Sequence, residues 1–159
     1  MICPERIGHV VIRVRNLERS VKFYTDVLGL TLMDQSAKMR MAFLASNARD
    51  HHEIGLAEVG ADAAAPLERQ VGLAHFAFRL RDEEHLRAAW RELREKGVPI
   101  HFTADHGITK SVYFKDPDGN TVEVYCDVAP EHRTPHAHNR KLDFAADARG
   151  MADVLRPRD

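Results

Sequence analysis

The sequence predicts an α+β fold of two paired βαβββ modules, which together form a curved mixed sheet. Three observations predict it: a repeated strand, an amphipathic helix after each copy of that strand, and three short apolar segments after each helix. Repeats within a chain indicate repeated structural units, and hydrophobic periodicity distinguishes strands from helices. A chain of 159 residues is long enough for one domain built from two such halves.

The repeat is clearest in two strands that each hold a histidine. "GHVVIRVRN" aligns with "AHFAFRLRD", so that His9 stands opposite His75 and arginines recur at matching places. Because side chains alternate across a strand, each histidine lies on the face opposite to the larger apolar residues. We expect the apolar faces to pack on the helices and the two histidine faces to line a shared cleft.

The segments after each of these strands complete the modules. Asn16 and Asp82 are expected to cap helices that Gly29 and Gly97 end. Three strands are predicted after each helix, at about 30–34, 39–45 and 53–59, and at about 100–103, 111–115 and 121–125. The sequence "DPDGN" between the last two strands is typical of a hairpin turn.

These elements predict a domain over residues 1–127. Its modules span about 6–59 and 72–127, and a linker at 60–71 joins them. Residues 128–159 form a polar, proline-containing tail, in which we expect a short helix near 144–154.

Composition excludes several classes of protein. The formal net charge of −1 gives no indication of a nucleic-acid or membrane partner. No apolar run approaches the length of a membrane span, and no secretion signal is apparent. The two cysteines, Cys3 and Cys126, do not make a disulfide framework. We therefore expect a soluble, cytoplasmic protein that binds neither nucleic acid nor membranes.

Three residues are candidate metal ligands. His9 and His75 can meet across the cleft if the two halves lie side by side. Glu123 lies between two valines in an apolar strand, and a buried carboxylate needs a positive partner such as a metal ion. Two histidines and one carboxylate are the set that non-haem Fe(II) oxygenases use, and the same set also suits Mn(II) or Zn(II).

Three segments carry a family resemblance: "GHVVIRVRNLERSVKFYTDVLGL", "GLAHFAFRL" and "VYFKDPDGNTVEVY". Through them the chain resembles the vicinal oxygen chelate superfamily, which includes glyoxalase I, bleomycin and fosfomycin resistance proteins, and type I extradiol dioxygenases. The resemblance implies paired βαβββ modules around a metal cleft, with His9, His75 and Glu123 at the ligand positions. It also implies a homodimer, the common state of small members.

Two further segments resemble the extradiol dioxygenases in particular. "DHHEIGL" is similar to the stretch that holds their active-site histidine, which implies that His52 is a catalytic base. "HGITKSVYFKDPDGN" resembles the segment that holds a second histidine and a tyrosine, here His106 and Tyr113. The resemblance implies that Tyr113 binds a substrate oxygen and that His106 assists as an acid or base.

The sequence therefore predicts an Fe(II)-dependent extradiol-type dioxygenase that acts on a small aromatic diol with O2. A glyoxalase-type isomerase with Glu53 as an extra ligand remains an alternative, as does a bleomycin-resistance-like binding protein. His52 and Glu53 are adjacent, so on a regular strand only one of them can reach the metal unless a bulge intervenes. His52 is favoured because Tyr113 and His106 agree with the dioxygenase.

Overall fold

The computed structural model describes residues 1–47, 50–67, 69–134 and 140–144. The order βαβββ occurs twice in it, followed by a short 3-10 helix. The elements are β1 (Val10–Val14), α1 (Leu17–Asp26), β2 (Thr31–Ser36), β3 (Met41–Ala45), β4 (Ile54–Glu58), β5 (Phe76–Arg79), α2 (Glu83–Glu95), β6 (Ile100–Asp105), β7 (Thr109–Lys115), β8 (Thr121–Asp127) and η1 (Pro130–His132). The predicted α+β fold of two βαβββ modules is confirmed.

The chain divides into two compact units. The first comprises Met1–Gln70 together with Asp116–Asn120, and the second comprises Val71–Lys115 and the chain from Thr121 onward. Each unit contains one four-stranded mixed sheet, in the order β1-β4-β3-β2 in the first and β5-β8-β7-β6 in the second. The strand that comes first in the sequence of each module pairs in parallel with the strand that comes last, β1 with β4 and β5 with β8. The other neighbouring pairs are antiparallel. The internal repeat of the sequence is therefore a repeat of topology.

Both helices begin and end where local signals predict. The side chains of Asn16 and Asp82 each accept a hydrogen bond from a backbone N–H of the first turn, at 2.8 and 3.0 Å. Gly29 and Gly97 follow the helices with φ of 67° and 69°, a left-handed conformation that suits glycine. No helix in the described ranges is long and apolar enough to cross a membrane.

The first strand shows how the repeat separates its two faces. Ile12 and Val14 are buried, whereas Val11 is 48% exposed. This alternation confirms the predicted apolar face, which is buried in the core of the first unit, as is Tyr24 of α1. The opposite face of the strand, which carries Val11, is not part of this core.

Part of the predicted tail packs against the second sheet. Residues 140–144, which we call the edge strap, pair with the outer edge of β6 through an antiparallel bridge between Arg140 and Asp105. Phe144 is buried, and its ring lies 5.8 Å from that of Trp90 on α2. The strap thus covers an otherwise open strand edge. Beyond Phe144, the helix predicted near 144–154 lies outside the described residues.

The "DPDGN" loop belongs with the first unit, and its two carboxylates are buried there. Asp116 accepts hydrogen bonds from the backbone N–H groups of Asp118 and Asn120 at 2.9 and 2.8 Å, which closes the predicted turn. The hydroxyl of Tyr24 donates to Asp116 at 2.9 Å. Burial and the neighbouring carboxylate raise the pKa of Tyr24, so its hydroxyl keeps its proton as a donor.

Asp118 is expected to contribute strongly to the stability of this unit. Its carboxylate, 5% exposed, lies 2.5 Å from Arg19 Nη2 and 3.2 Å from the buried hydroxyl of Ser20. Asp118→Ala should lower the free energy of unfolding in urea by about 2–4 kcal/mol, because a buried hydroxyl and an arginine lose their acceptor. Asp26→Ala removes an exposed pair with Lys22 and should change it by less than about 0.5 kcal/mol. Equal losses in the two variants would contradict this role.

Candidate active site

Four residues form a row across the second sheet. Ala77 pairs with Glu123, Glu123 with Tyr113, and Tyr113 with Phe102, each directly opposite the next in register. Side chains opposite each other on adjacent strands share a face, so this row lies on one face of the sheet. His75 precedes Ala77 by two residues and joins the same face.

His75 and Glu123 are in direct contact. His75 Nε2 lies 3.0 Å from Glu123 Oε2, and the glutamate side chain is only 9% exposed. The buried carboxylate therefore has a histidine as its partner. Neighbouring ligands of a divalent metal with bonds of about 2.1 Å stand roughly 3 Å apart in octahedral geometry. The pair therefore fits a metal as two adjacent ligands, one nitrogen and one oxygen.

Tyr113 lies between this pair and His106. The ring centroids of Tyr113 and His75 are 5.5 Å apart, and the planes are nearly perpendicular. His106 Nε2 is 3.1 Å from the Tyr113 hydroxyl. Burial, with a hydrogen bond to Glu123 and the charge of that carboxylate, raises the pKa of Tyr113 to about 12. At neutral pH the hydroxyl is therefore a hydrogen-bond donor.

His75, Tyr113 and His106 open into one cavity of about 720 Å³, a volume that suits a small-molecule ligand. The residues that line it are Ala74, His75, His101, Phe102, Thr103, Ala104, His106, Tyr113, Thr121 and Lys141. Sequence reasoning did not identify Phe102, His101 or Lys141 as site residues. The register shift in β6 between Ile100 and Phe102 is a property of strand pairing, and it left no signal in the sequence.

In the first unit, His52 lies against His9. Their ring centroids are 4.5 Å apart, and the ring of Phe43 lies 4.8 Å from that of His52. His51 Nδ1 is 2.6 Å from His52 Nδ1. Desolvation, with smaller contributions from the charges of His51 and His9, lowers the pKa of His52. The neutral imidazole, which can accept a proton, is thereby favoured.

Glu53 is directed to a different place. Its carboxylate accepts hydrogen bonds from the backbone N–H of Ser46 at 2.6 Å and from the amide of Asn47 at 3.4 Å. Both His52 and Glu53 precede β4, which begins at Ile54. The strand predicted at about 53–59 therefore begins one residue later than expected. Because His52 and Glu53 lie in the loop before it, the loop conformation, and not strand alternation, determines where their side chains point.

The predicted metal ligands divide between the two units, with His9 in the first and His75 and Glu123 in the second. Within the ranges that the structure describes, no three histidine, cysteine, aspartate or glutamate side chains form a group that could hold a metal. The structure brings together His75 with Glu123, Tyr113 with His106, and His9 with His52.

The first sheet lacks a counterpart of Glu123. Its matching row runs Val11, Gly55, Phe43 and Asp34, so Gly55 occupies the position that Glu123 has in the second sheet. A Cβ atom at Gly55 would lie 3.0 Å from a methyl carbon of Val11, closer than ordinary van der Waals contact. Each module thus holds one of the two histidines predicted as ligands, but only the second holds a glutamate at this position of the sheet.

Comparison with known proteins identifies the family of this chain. Residues 6–124 match the family described as the Glyoxalase/Bleomycin resistance protein/Dioxygenase superfamily. Biphenyl-2,3-diol 1,2-dioxygenase 3 of Rhodococcus globerulus is 32% identical over 144 residues, which are 89% of this chain and 74% of that protein. Catechol-2,3-dioxygenase of Bacillus subtilis (strain 168) is 35% identical over 122 residues, 76% of this chain but only 41% of that enzyme.

A solved structure gives the same fold. The glyoxylase/bleomycin resistance protein/dioxygenase domain from Frankia sp. EAN1pec superposes with a TM-score of 0.70 at 21% identity, covering 82% of this chain and 98% of the domain. At this identity the likeness concerns the fold alone. The family match over most of the chain and the Rhodococcus relative carry the assignment further. This chain belongs to the glyoxalase/bleomycin resistance protein/dioxygenase superfamily.

Proposed function

We propose that the chain is a metal-dependent dioxygenase that cleaves the ring of a catechol-like vicinal diol. The observation that carries the proposal is the contact of the buried Glu123 with His75, which lines one cavity together with Tyr113 and His106. Similarity to biphenyl-diol and catechol dioxygenases supports it. In such a reaction the carbon–carbon bond next to the diol breaks and both atoms of O2 enter the product. No external reductant is consumed.

The proposed ligands are His9, His75 and Glu123. Two imidazoles and one carboxylate suit Fe(II), with Mn(II) or Zn(II) as alternatives. When bound, Fe(II) or Mn(II) would supply Lewis-acid and redox chemistry toward the diol and O2, whereas Zn(II) would supply Lewis-acid chemistry alone. The catalytic domain is proposed to span residues 1–127, with His9 contributed by the same chain or by a second copy in a homodimer.

The remaining site residues act on protons and on the orientation of the diol. We assign His52 as the base that accepts the proton of a diol hydroxyl. The Tyr113 hydroxyl donates a hydrogen bond to a diol oxygen and so fixes the ring in the cavity. His106, hydrogen-bonded to Tyr113, moves a proton at the same end of the cavity.

The glyoxalase-type alternative requires Glu53 as a further ligand. The carboxylate of Glu53 instead accepts two hydrogen bonds from the turn at Ser46 and Asn47. His52 is the neighbour that lies against His9. These contacts favour the dioxygenase over the isomerase.

Oxygen uptake tests the proposal. The protein is loaded with Fe(II) without oxygen, then mixed with air-saturated buffer and catechol, biphenyl-2,3-diol or a naphthalene diol. We expect O2 consumption matched to diol loss, with a yellow ring-opened product. Glu53→Gln should keep both the metal and the activity within about twofold, because Glu53 is outside the proposed ligand set.

Two outcomes would overturn the proposal. Bound metal without O2 uptake on any diol, together with metal loss in Glu53→Gln, would establish the isomerase-type site. Diol binding that needs no metal, in a protein that retains none, would establish a binding protein.

A further inference from the structure

The lining of the cavity in the second unit holds one lysine and several histidines but no carboxylate. Its ten residues include Lys141, His75, His101 and His106, and none of them is an aspartate or glutamate. Glu123 lies next to the cavity, but its carboxylate is already in contact with His75. A concave site whose lining holds a lysine and no carboxylate favours a ligand that carries negative charge.

Lys141 is fixed on the side of the cavity remote from His75 and Glu123. The edge strap that holds it pairs with β6, whereas Tyr113 lies on the neighbouring strand β7. Adjacent strands are about 4.8 Å apart, so roughly 10 Å separate the backbone of β7 from the strap. A benzene ring with a short acidic side chain can bridge from Tyr113 to a lysine at that distance.

The strap holds the backbone of Lys141 from both sides. On the N-terminal side of Lys141, the backbone N–H of Arg140 donates to the carbonyl of Asp105 at 3.1 Å, and the carbonyl of Arg140 accepts from the N–H of Asp105 at 2.7 Å. After it, the hydroxyl of Thr103 donates to the carbonyl of Leu142 at 2.6 Å. No ion pair joins Lys141 to another residue in the described part of the chain, so its charge is available to a ligand.

Phe102 and His101 lie between the two ends of the cavity. Phe102 stacks on Tyr113 with ring centroids 4.1 Å apart and planes 16° apart, and it remains 45% exposed. The register shift at this point of β6 lets two sequence neighbours, His101 and Phe102, both line the cavity. Phe102 therefore offers an aromatic surface to a substrate ring, and His101 adds a further nitrogen to the lining.

We infer that this cavity selects diols bearing an anionic substituent, such as a carboxylate or sulfonate on a short side chain, and that Lys141 binds that group. The inference rests on the proposed function and names its substrate class. The diol lies at Tyr113, the ring lies along Phe102, and the anion lies at Lys141.

Paired substrates and variants test this selection. Catechols with a short carboxylate side chain at the 3- or 4-position are each compared with their own neutral methyl amide. We expect Lys141→Met to lower kcat/KM for the best acid about 10- to 100-fold, the range of a charged hydrogen bond, and to leave its amide within about twofold. Lys141→Arg should restore most of the loss. Lys96, the residue after the last turn of α2, pairs with Glu92, so Lys96→Met serves as the matched control and should have no effect.

Calorimetric binding to the metal-free protein separates this inference from the proposed function. If the acid binds at least tenfold tighter than its amide, and Lys141→Met removes the difference, the selection is established even if no diol is cleaved. Equal binding and equal turnover of acid and amide would overturn the inference while leaving the dioxygenase intact. An equal loss on both substrates in Lys141→Met would also overturn it, because that result marks a structural role for the strap.

Discussion

Glu123→Gln is expected to strip the protein of divalent metal and to lower diol-dependent O2 uptake by at least about 1,000-fold. Glutamine keeps the shape of the side chain and can still accept a hydrogen bond from His75, but it removes the negative charge that would face the cation. A bound metal stabilises the transition state of such reactions by several kcal/mol. Each 1.36 kcal/mol of activation free energy corresponds to a tenfold change in rate. Metal content after desalting and initial O2 uptake are the two measurements.

The control for this result is a second glutamate changed in the same way. Glu53→Gln alters a carboxylate that binds the turn at Ser46, so it should retain metal and turnover. Circular dichroism and urea unfolding establish that both variants are folded. A Glu123→Gln protein that holds one metal ion and turns over at the wild-type rate would refute the ligand role of Glu123.

His52→Ala should slow turnover by about 100- to 10,000-fold while the metal is retained, because a positioned general base contributes a factor of this size. Its ring lies 4.5 Å from that of His9 and 4.8 Å from that of Phe43, so it is placed beside a proposed ligand without being one. Steady-state kinetics should show the loss mainly in kcat, and metal analysis should match the wild type.

His85→Ala is the matched histidine control for that variant. His85 is on α2, where it pairs with Asp82 outside the cavity, and its removal should leave kcat unchanged. Metal loss in His52→Ala would make His52 a ligand, and an unchanged kcat would exclude it as a base. Either result would require a different base for the diol.

The parts of the fold that could be predicted have local causes. Helix caps at Asn16 and Asp82 depend on one side chain and the backbone beside it, and the alternation of β1 depends on its own residues. The contacts of Lys141 could not be predicted in this way. They depend on the strap finding the free edge of β6, and the polar tail carries no periodicity that indicates such pairing.

In the candidate site, too, the residue types could be predicted from the sequence, but their arrangement could not. His75, Glu123 and Tyr113 could be identified as site residues because their types are unusual within apolar strands or match a family motif. Their arrangement in one row depends on the register of β5, β8 and β7, which no single strand encodes. Phe102 was not predicted as a site residue because the register shift in β6 interrupts the regular alternation of side chains along that strand.

Gly55 has a consequence for the charge balance of the proposed metal site. A divalent cation held by two neutral imidazoles and the single carboxylate of Glu123 keeps one unit of positive charge. A second carboxylate at the matching position of the first module would cancel it, but Gly55 has no side chain and Val11 closes the space. The duplicated modules would thus leave one positive charge of the cation uncompensated, and a singly deprotonated diol would balance it.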